Sequence, residues 1–279
     1  MIRGSGDLIR WCDCCCGSNG RDKGACGHAR SSCGRVISRS HRRILNGILW
    51  INCTGAPWKD LPRCYGPVGT VSSRFYHWRK AGIWQQVLEA LQARADRQDR
   101  VDWSLPFIDS TVARAHQHAA GARKAERRLD GEALGRSRGG LSTKIHIRAE
   151  GLGKPVTFTL TGGELHDSKA FATLMGSGWI KRLGRGRPRL KPDRLVADKA
   201  YSSGVIRSAL RQRGIQPVIP TKSNERPEPT FDRAACRERN RVERLIGRLK
   251  QFRRIATRYE KRAANYLAMI TIAAILLWL

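Results

Sequence analysis

Residues 105–109 read LPFID and residues 195–198 read LVAD. Each is a short apolar run closed by an aspartate, and the flanking sequence gives both their setting. Ile145 and Ile147 alternate with polar residues, as do Val156, Phe158 and Leu160, with Glu150-Gly151-Leu152-Gly153 between them. A period of two broken by a Gly-rich turn predicts a β-hairpin. Asp167 and Ser168 can cap a helix running to about Met175. Beyond LVAD the pattern predicts a helix near 203–213, a strand at Pro217-Val218-Ile219, and a long helix from about Asp232 to Phe252. The order β, ββ hairpin, α, β, α, β, α makes residues 101–279 an α/β domain with a mixed sheet.

Upstream, Ile44, Leu45, Ile48 and Leu49 fall at helical spacing, and Thr54-Gly55-Ala56-Pro57 ends that helix. Val71, Phe75 and Trp78 mark a second helix with Arg74, Arg79 and Lys80 on its other side, and Ile83, Val87, Leu88 and Leu91 a third. Residues 37–100 therefore read as a small helical domain. Its basic face suits either a helix-turn-helix-like DNA binder or an ordinary solvated bundle. Residues 1–36 are an irregular segment rich in Cys, Gly and Arg. The apolar C-terminus, residues 263–279, is interrupted by Asn265, Tyr266 and Thr271 and reads as a buried helix rather than a membrane span. No apolar stretch follows the first residues, so a cytoplasmic protein is expected. The nine cysteines are odd in number and lack the repeated ligand pairing of a zinc site.

Charge narrows the partner. Lys and Arg number 53 against 23 Asp and Glu, a formal +30, on a chain that is 41% hydrophobic. A folded protein carrying that excess is expected to meet a polyanion, nucleic acid first of all. Against this background the acids deserve separate reading. Asp109 and Asp198 each close a buried-type strand, where α/β sheets place their sites; each could also simply cap a turn. In the last helix Val242, Leu245, Ile246, Leu249 and Phe252 form the apolar stripe. Arg239, Glu243 and Lys250 fall within about 40° of one another beside it, and Gly247 lies on the same stripe, leaving room for a bulky substrate. The plainer alternative is an Arg–Glu surface pair at i,i+4. Three converging carboxylates suit two Mg²⁺ ions, with Mn²⁺ as the substitute, which activate a water or hydroxyl and stabilise a leaving oxygen of a phosphodiester. His116 and His118, at i,i+2, would point apart on a helix.

Three stretches carry a family resemblance. They are Ile108-Asp109-Ser110-Thr111 with Ala115 to Gly121, Val196 to Tyr201, and Arg239 through Tyr259. Together they resemble the catalytic blocks of bacterial DDE transposases of the insertion-sequence-five family, and residues 45–58 resemble that family's N-terminal domain. The resemblance implies an RNase H-like catalytic domain with Asp109, Asp198 and Glu243 as the metal-binding triad. It also implies recognition of inverted-repeat ends, hydrolysis there, and attack of the freed 3′-OH on target DNA. A homodimer on double-stranded DNA, near the bacterial nucleoid, would be the working form. Arg239, Glu243 and Lys250 match the signature Tyr-x2-Arg-x3-Glu-x6-Lys, with Lys250 contacting DNA near the cut; Cys236 stands at the tyrosine position. DNA contacts are expected from Arg74, Arg79, Lys80, Lys250, Arg253 and Arg254. Arg185, Arg187 and Arg189, in an Arg-Gly-Arg-Pro segment resembling an AT-hook, would add phosphate or minor-groove contacts. The alternative is an inactive copy that only binds DNA.

Overall fold

Three helices open the described part of the chain: α1 (His41–Thr54), α2 (Val68–Lys80) and α3 (Ile83–Arg97). The computed structural model describes residues 41–120, 129–137, 139–180, 191–225, 228 and 231–279. The irregular segment 1–36 and Arg185, Arg187 and Arg189 lie outside the described residues. Helix α1 stops where expected, as Gly55 turns to φ +72° while its N–H still reaches the Ile51 carbonyl.

The chain continues through β1 (Phe107–Ala115), a single turn α4 (Gln117–Ala120), β2 (Gly135–Ser137), β3 (Gly140–Ala149) and β4 (Pro155–Gly162). Then follow α5 (Phe171–Gly176), β5 (Arg194–Ala197), α6 (Gly204–Gln212), β6 (Gln216–Val218), α7 (Arg233–Arg237) and α8 (Asn240–Lys250). It closes with α9 (Arg253–Ala256), β7 (Thr257–Arg258) and α10 (Ala263–Trp278). The strands form one mixed sheet in the order β2-β3-β1-β5-β6, with β4 added to β3 and β7 to β1. β1 runs antiparallel to β3 from Phe107↔Ala149 to Arg114↔Ser142, and parallel to β5 at Phe107↔Val196 and Ile108↔Ala197. This is the RNase H-like arrangement: a central strand, a hairpin on one side and parallel strands on the other.

Alternation divides the sheet's two faces. Phe107, Val196, Ile145 and Ile147 pack with Leu88 of α3, Val242, Leu245 and Leu249 of α8, and Ile270 of α10. Ile108, Leu195 and Ala197 turn the other way, against Leu174 of α5 and Ile206 and Leu210 of α6. Helix α10 is buried on opposite sides at once. Ala268, Met269 and Ile272 join Ile48, Val71 and Phe75 of the helical layer, while Tyr266, Ala273 and Ala274 face the sheet core. Its apolar composition serves that double burial, and no helix among the described residues is long and apolar enough to cross a membrane.

Several local expectations are corrected. Asp109 does not end its strand but is third of nine residues in β1, because ladder bonds to β3 carry the strand past the apolar run. The long final helix is divided: N–H groups of Glu238, Arg239, Arg241 and Val242 bond three residues back, a tighter turn that separates α7 from α8. The cap before α5 comes from His166, whose Nδ1 accepts the Ser168 N–H, and a 3₁₀ turn at Asp167–Ala170 precedes the helix. β7, unforeseen, pairs with the end of β1.

Arg258 holds this end of the molecule together. Fully buried, its guanidinium donates to the carbonyls of Glu132 (2.8 Å), Ala133 (3.1 Å), Glu260 (2.9 Å) and Lys261 (2.9 Å), and to Thr143 Oγ1 (2.6 Å). Arg258→Met would leave those acceptors buried and short of a donor. The expected loss is about 3 kcal/mol or more of unfolding free energy, read as a lower urea midpoint. A shift below about 1 kcal/mol would show that water reaches the acceptors once the guanidinium is gone.

Candidate active site

The register of β1 and β5 builds the site. Ile108 and Ala197 are partners, so the next residues, Asp109 and Asp198, leave the paired stretch side by side. Phe107 and Val196 pack on the α8 face, and alternation directs Asp109 to that same face. Helix α8 buries Val242, Leu245 and Leu249 in this core, which brings the neighbouring stripe with Glu243 to the strand ends.

What joins the three acids is Arg239. Its Nη1 lies 3.2 Å from Asp109 Oδ2 and 3.9 Å from Asp198 Oδ1, and its Nη2 lies 2.7 Å from Glu243 Oε1. The i,i+4 pair weighed as a plain surface contact is thus one arm of a three-carboxylate cluster. The arms differ in exposure: the Asp109 side chain is 12% exposed, those of Asp198 and Glu243 45% and 51%. Burial pushes the Asp109 carboxyl up to about 6, and the negative charges of Asp198 and Glu243 add to it. The Ser110 N–H, 2.7 Å from Asp109 Oδ1, and Arg239 pull the other way.

The donor set is all carboxylate oxygen, the chemistry of a hard divalent cation. It holds a guanidinium at its centre, and among the described residues no three His, Cys, Asp or Glu side chains are grouped closely enough to hold an ion. The acids fit such a cation in donor chemistry and in already surrounding a positive charge.

Other predicted residues take distinct places. Gly247 is open, with nothing within 4 Å of where a Cβ would be, and Lys250 is exposed at the end of α8. Cys236 sits half-buried in α7, where burial raises its thiol and Arg239 and Asp198 are its nearest charges of note. On α2, Arg74 lies over the Trp78 ring at 5.9 Å, Arg79 is half-buried and Lys80 is exposed. Arg253 is exposed, but Arg254 is a correction. It is buried, bonded to Glu260 (2.7 Å) and the Ala56 carbonyl (2.6 Å), and has no head group left for a phosphate. His116 and His118, whose spacing would part them on a helix and align them on a strand, have rings stacked at 4.9 Å: His116 lies between β1 and α4, and its Nδ1 accepts the His118 N–H. Tyr201, at the end of the second matched stretch, is fully buried, and its hydroxyl has no hydrogen-bond partner among the described residues. Burial and the fields of Asp167, Asp109 and Asp198 raise its pKa.

The raised Asp109 pKa has a consequence for stability. The ionised carboxyl is the disfavoured form in the fold, so its stabilising contribution is full below the unfolded value of 3.8 and is lost as pH rises through about 6. In chelator, Asp109→Asn should be more stable than the wild type at neutral pH, by on the order of 3 kcal/mol. The advantage should vanish near pH 4 in thermal melts. Equal melting at neutral pH would mean that Arg239 offsets the burial completely.

The family model described as a transposase DDE domain matches residues 105–278, and one described as a putative transposase of the IS4/5 family matches residues 26–88. Among curated proteins, an uncharacterised protein y4sN of Sinorhizobium fredii is 40% identical over 31% of this chain and 65% of its own length. A putative transposase for insertion sequence element IS402 of Burkholderia cepacia is 33% identical over 48% of this chain and 62% of its own. One for IS6501 of Brucella ovis is 28% identical over 50% and 99%. The chain thus spans just under two thirds of the length of the first two. Among solved structures, a pre-cleavage Mos1 transpososome aligns over 91% of this chain and 80% of that one, at 12% identity and a TM-score of 0.27. With most of the chain, from β1 to α10, matched by the DDE domain model, this protein belongs to the DDE transposase family.

Proposed function

We propose that the chain is a DNA transposase that binds the inverted-repeat ends of an insertion sequence, cleaves there, and joins the freed ends to target DNA. The observation that carries this reading is the meeting of Asp109, Asp198 and Glu243 around one cation on a chain of formal charge +30. A cluster of like charges at an open crevice is costly, and in a protein bound to a polyanion more so. It makes sense where cations are recruited for phosphodiester chemistry.

Asp109, Asp198 and Glu243 would hold two divalent ions, Mg²⁺ with Mn²⁺ as the substitute. Bound there, the ions would supply an activated water or 3′-OH and stabilise the leaving oxygen. Arg239 keeps the acids together and offsets part of their charge, and the half-exposed Asp198 and Glu243 are the arms free to adjust. Lys250, exposed on the Glu243 side of α8, positions the DNA backbone. Arg74, Arg79 and Lys80 on α2, with Arg253, Arg185, Arg187 and Arg189, grip phosphates. Holding two element ends calls for a homodimer, and the bacterial nucleoid is where such substrates lie. The relatives described as transposases of insertion elements support the same reading.

The test compares wild type with Glu243→Gln on a labelled duplex carrying an element end. Both should bind it equally, and only the wild type should nick it in Mg²⁺, the variant falling to background. Cleavage retained by the variant would sink the assignment. Binding without cleavage by the wild type would favour a copy that occupies its ends only, the reading to which Cys236 at the tyrosine position points.

A further inference from the structure

A groove runs along α8 beside the carboxylate stripe. It measures about 650 Å³ and is walled by Arg241, Arg244, Gly247, Arg248 and Gln251 on the helix and by Leu152 of the β3–β4 turn. We propose that this groove is a phosphate track, holding the sugar-phosphate backbone of a DNA duplex outside the carboxylate site. The proposal rests on the transposase reading for its ligand and extends it to residues that reading does not use.

The turn forming the groove's wall is fixed from inside. Glu150 is fully buried, and its carboxylate accepts the N–H groups of Asp102 (2.9 Å), Leu152 (3.0 Å) and Lys154 (2.7 Å). Gly153 adopts φ +84°, and a Cβ there would come within 3.2 Å of the Arg241 backbone oxygen, so the turn lies directly against α8. Arg241 completes the seam by donating to the Gly151 carbonyl while pairing with Glu238 at 2.7 Å. The cleft therefore has rigid sides before any ligand enters, and an exposed Leu152 (55%) at its lip. That apolar side chain suits the face of a deoxyribose.

Two of the groove's three arginines, Arg244 and Arg248, pair with no acid among the described residues. Arg241 takes Glu238 and Arg239 takes Glu243, while Glu150 is enclosed by backbone N–H groups. Among the described residues Arg248 reaches just the Gly153 carbonyl, at 3.5 Å, beyond ordinary hydrogen-bond range. Arg244 is exposed, as is Arg248. These two stand at i,i+4, about 6 Å apart along the axis, where like charges weaken a helix unless an anion lies between them. The strip continues past the turn. Lys154, its ammonium 4.9 Å from the Trp278 ring centre, has its pKa lowered by burial and then by the charges of Arg100 and Arg248. Arg244 and Arg248 in the groove, with Lys154 beyond the turn, offer several phosphate contacts rather than one, which matches a charged polymer better than a single small anion. Gly247, one turn from Glu243, leaves the path between groove and acids open.

The experiment measures the salt dependence of binding to a short fluorescent duplex for the wild type and for Arg244→Ala/Arg248→Ala. Each lost phosphate contact flattens the slope of log K against log salt by about 0.9, so the double variant should flatten it by about 1.8. Arg244→Lys/Arg248→Lys should keep the wild-type slope. Lys191→Ala/Arg213→Ala removes two exposed cations at the β6 end of the sheet and should also leave it unchanged. Matching thermal melts establish that each variant is folded. A wild-type slope in the alanine variant overturns the track and leaves the transposase reading standing. So does equal flattening in the Lys191/Arg213 pair, which would reduce the groove to bulk charge. A wild type that binds no duplex overturns both.

Discussion

One edge of β1 is left without a strand over the middle of its length, and the site exists because of it. The opposite edge is paired to β3 from Phe107 to Arg114. On the open edge, β5 pairs only as far as Ile108, and β7 takes over only at Arg114. Asp109 is the first residue of the gap. Parallel sheets characteristically place sites where adjacent strands part, because the crevice there is open while its floor is rigid. Here the floor is Phe107 and Val196, the roof is α8, and Asp109's own carboxylate accepts the neighbouring Ser110 N–H inside the gap.

Charge then decides what the crevice can hold. Burial raises the Asp109 carboxyl to about 6, whereas Asp198 and Glu243 are half in solvent. Three acids so placed need a central cation, and Arg239 supplies it without leaving α8's own turn. Its place depends on the tight three-residue bonds at 238–242, which divide the helix just where the guanidinium must bend toward the sheet. The helix break and the ion cluster are one feature seen at two scales.

This explains what was legible in the sequence. Strand alternation at Ile145, Ile147, Val156 and Phe158 and the apolar stripe of α8 are local patterns, and both report burial directly. The three acids were legible because apolar runs ending in aspartate, and an acid beside a helical stripe, are equally local. The length of β1 was not, because its second half is held by bonds to β3 rather than by its own apolar residues. Nor was β7, two residues long and defined only by its partner. The closeness of His116 and His118 depended on where α4 begins, and Arg239's triple contact on a turn that periodicity does not register.

Net charge was the least discriminating of the signals. Arg148, Arg207, Arg254 and Arg258 are buried, and their guanidiniums face carbonyls, hydroxyls and acids of this chain. Counted in the sequence they are indistinguishable from Arg244 or Arg253, and Arg254 was misread for that reason. Arginine suits both duties because its planar fork satisfies several buried oxygens as readily as it binds phosphate. Arg254 shows what the inward duty achieves. It links α9 to Glu260 and to the Ala56 carbonyl just beyond α1, so the helical layer and the segment following α8 are held to one another. In this chain burial, not charge, separates the arginines that build the protein from those left to meet its partner.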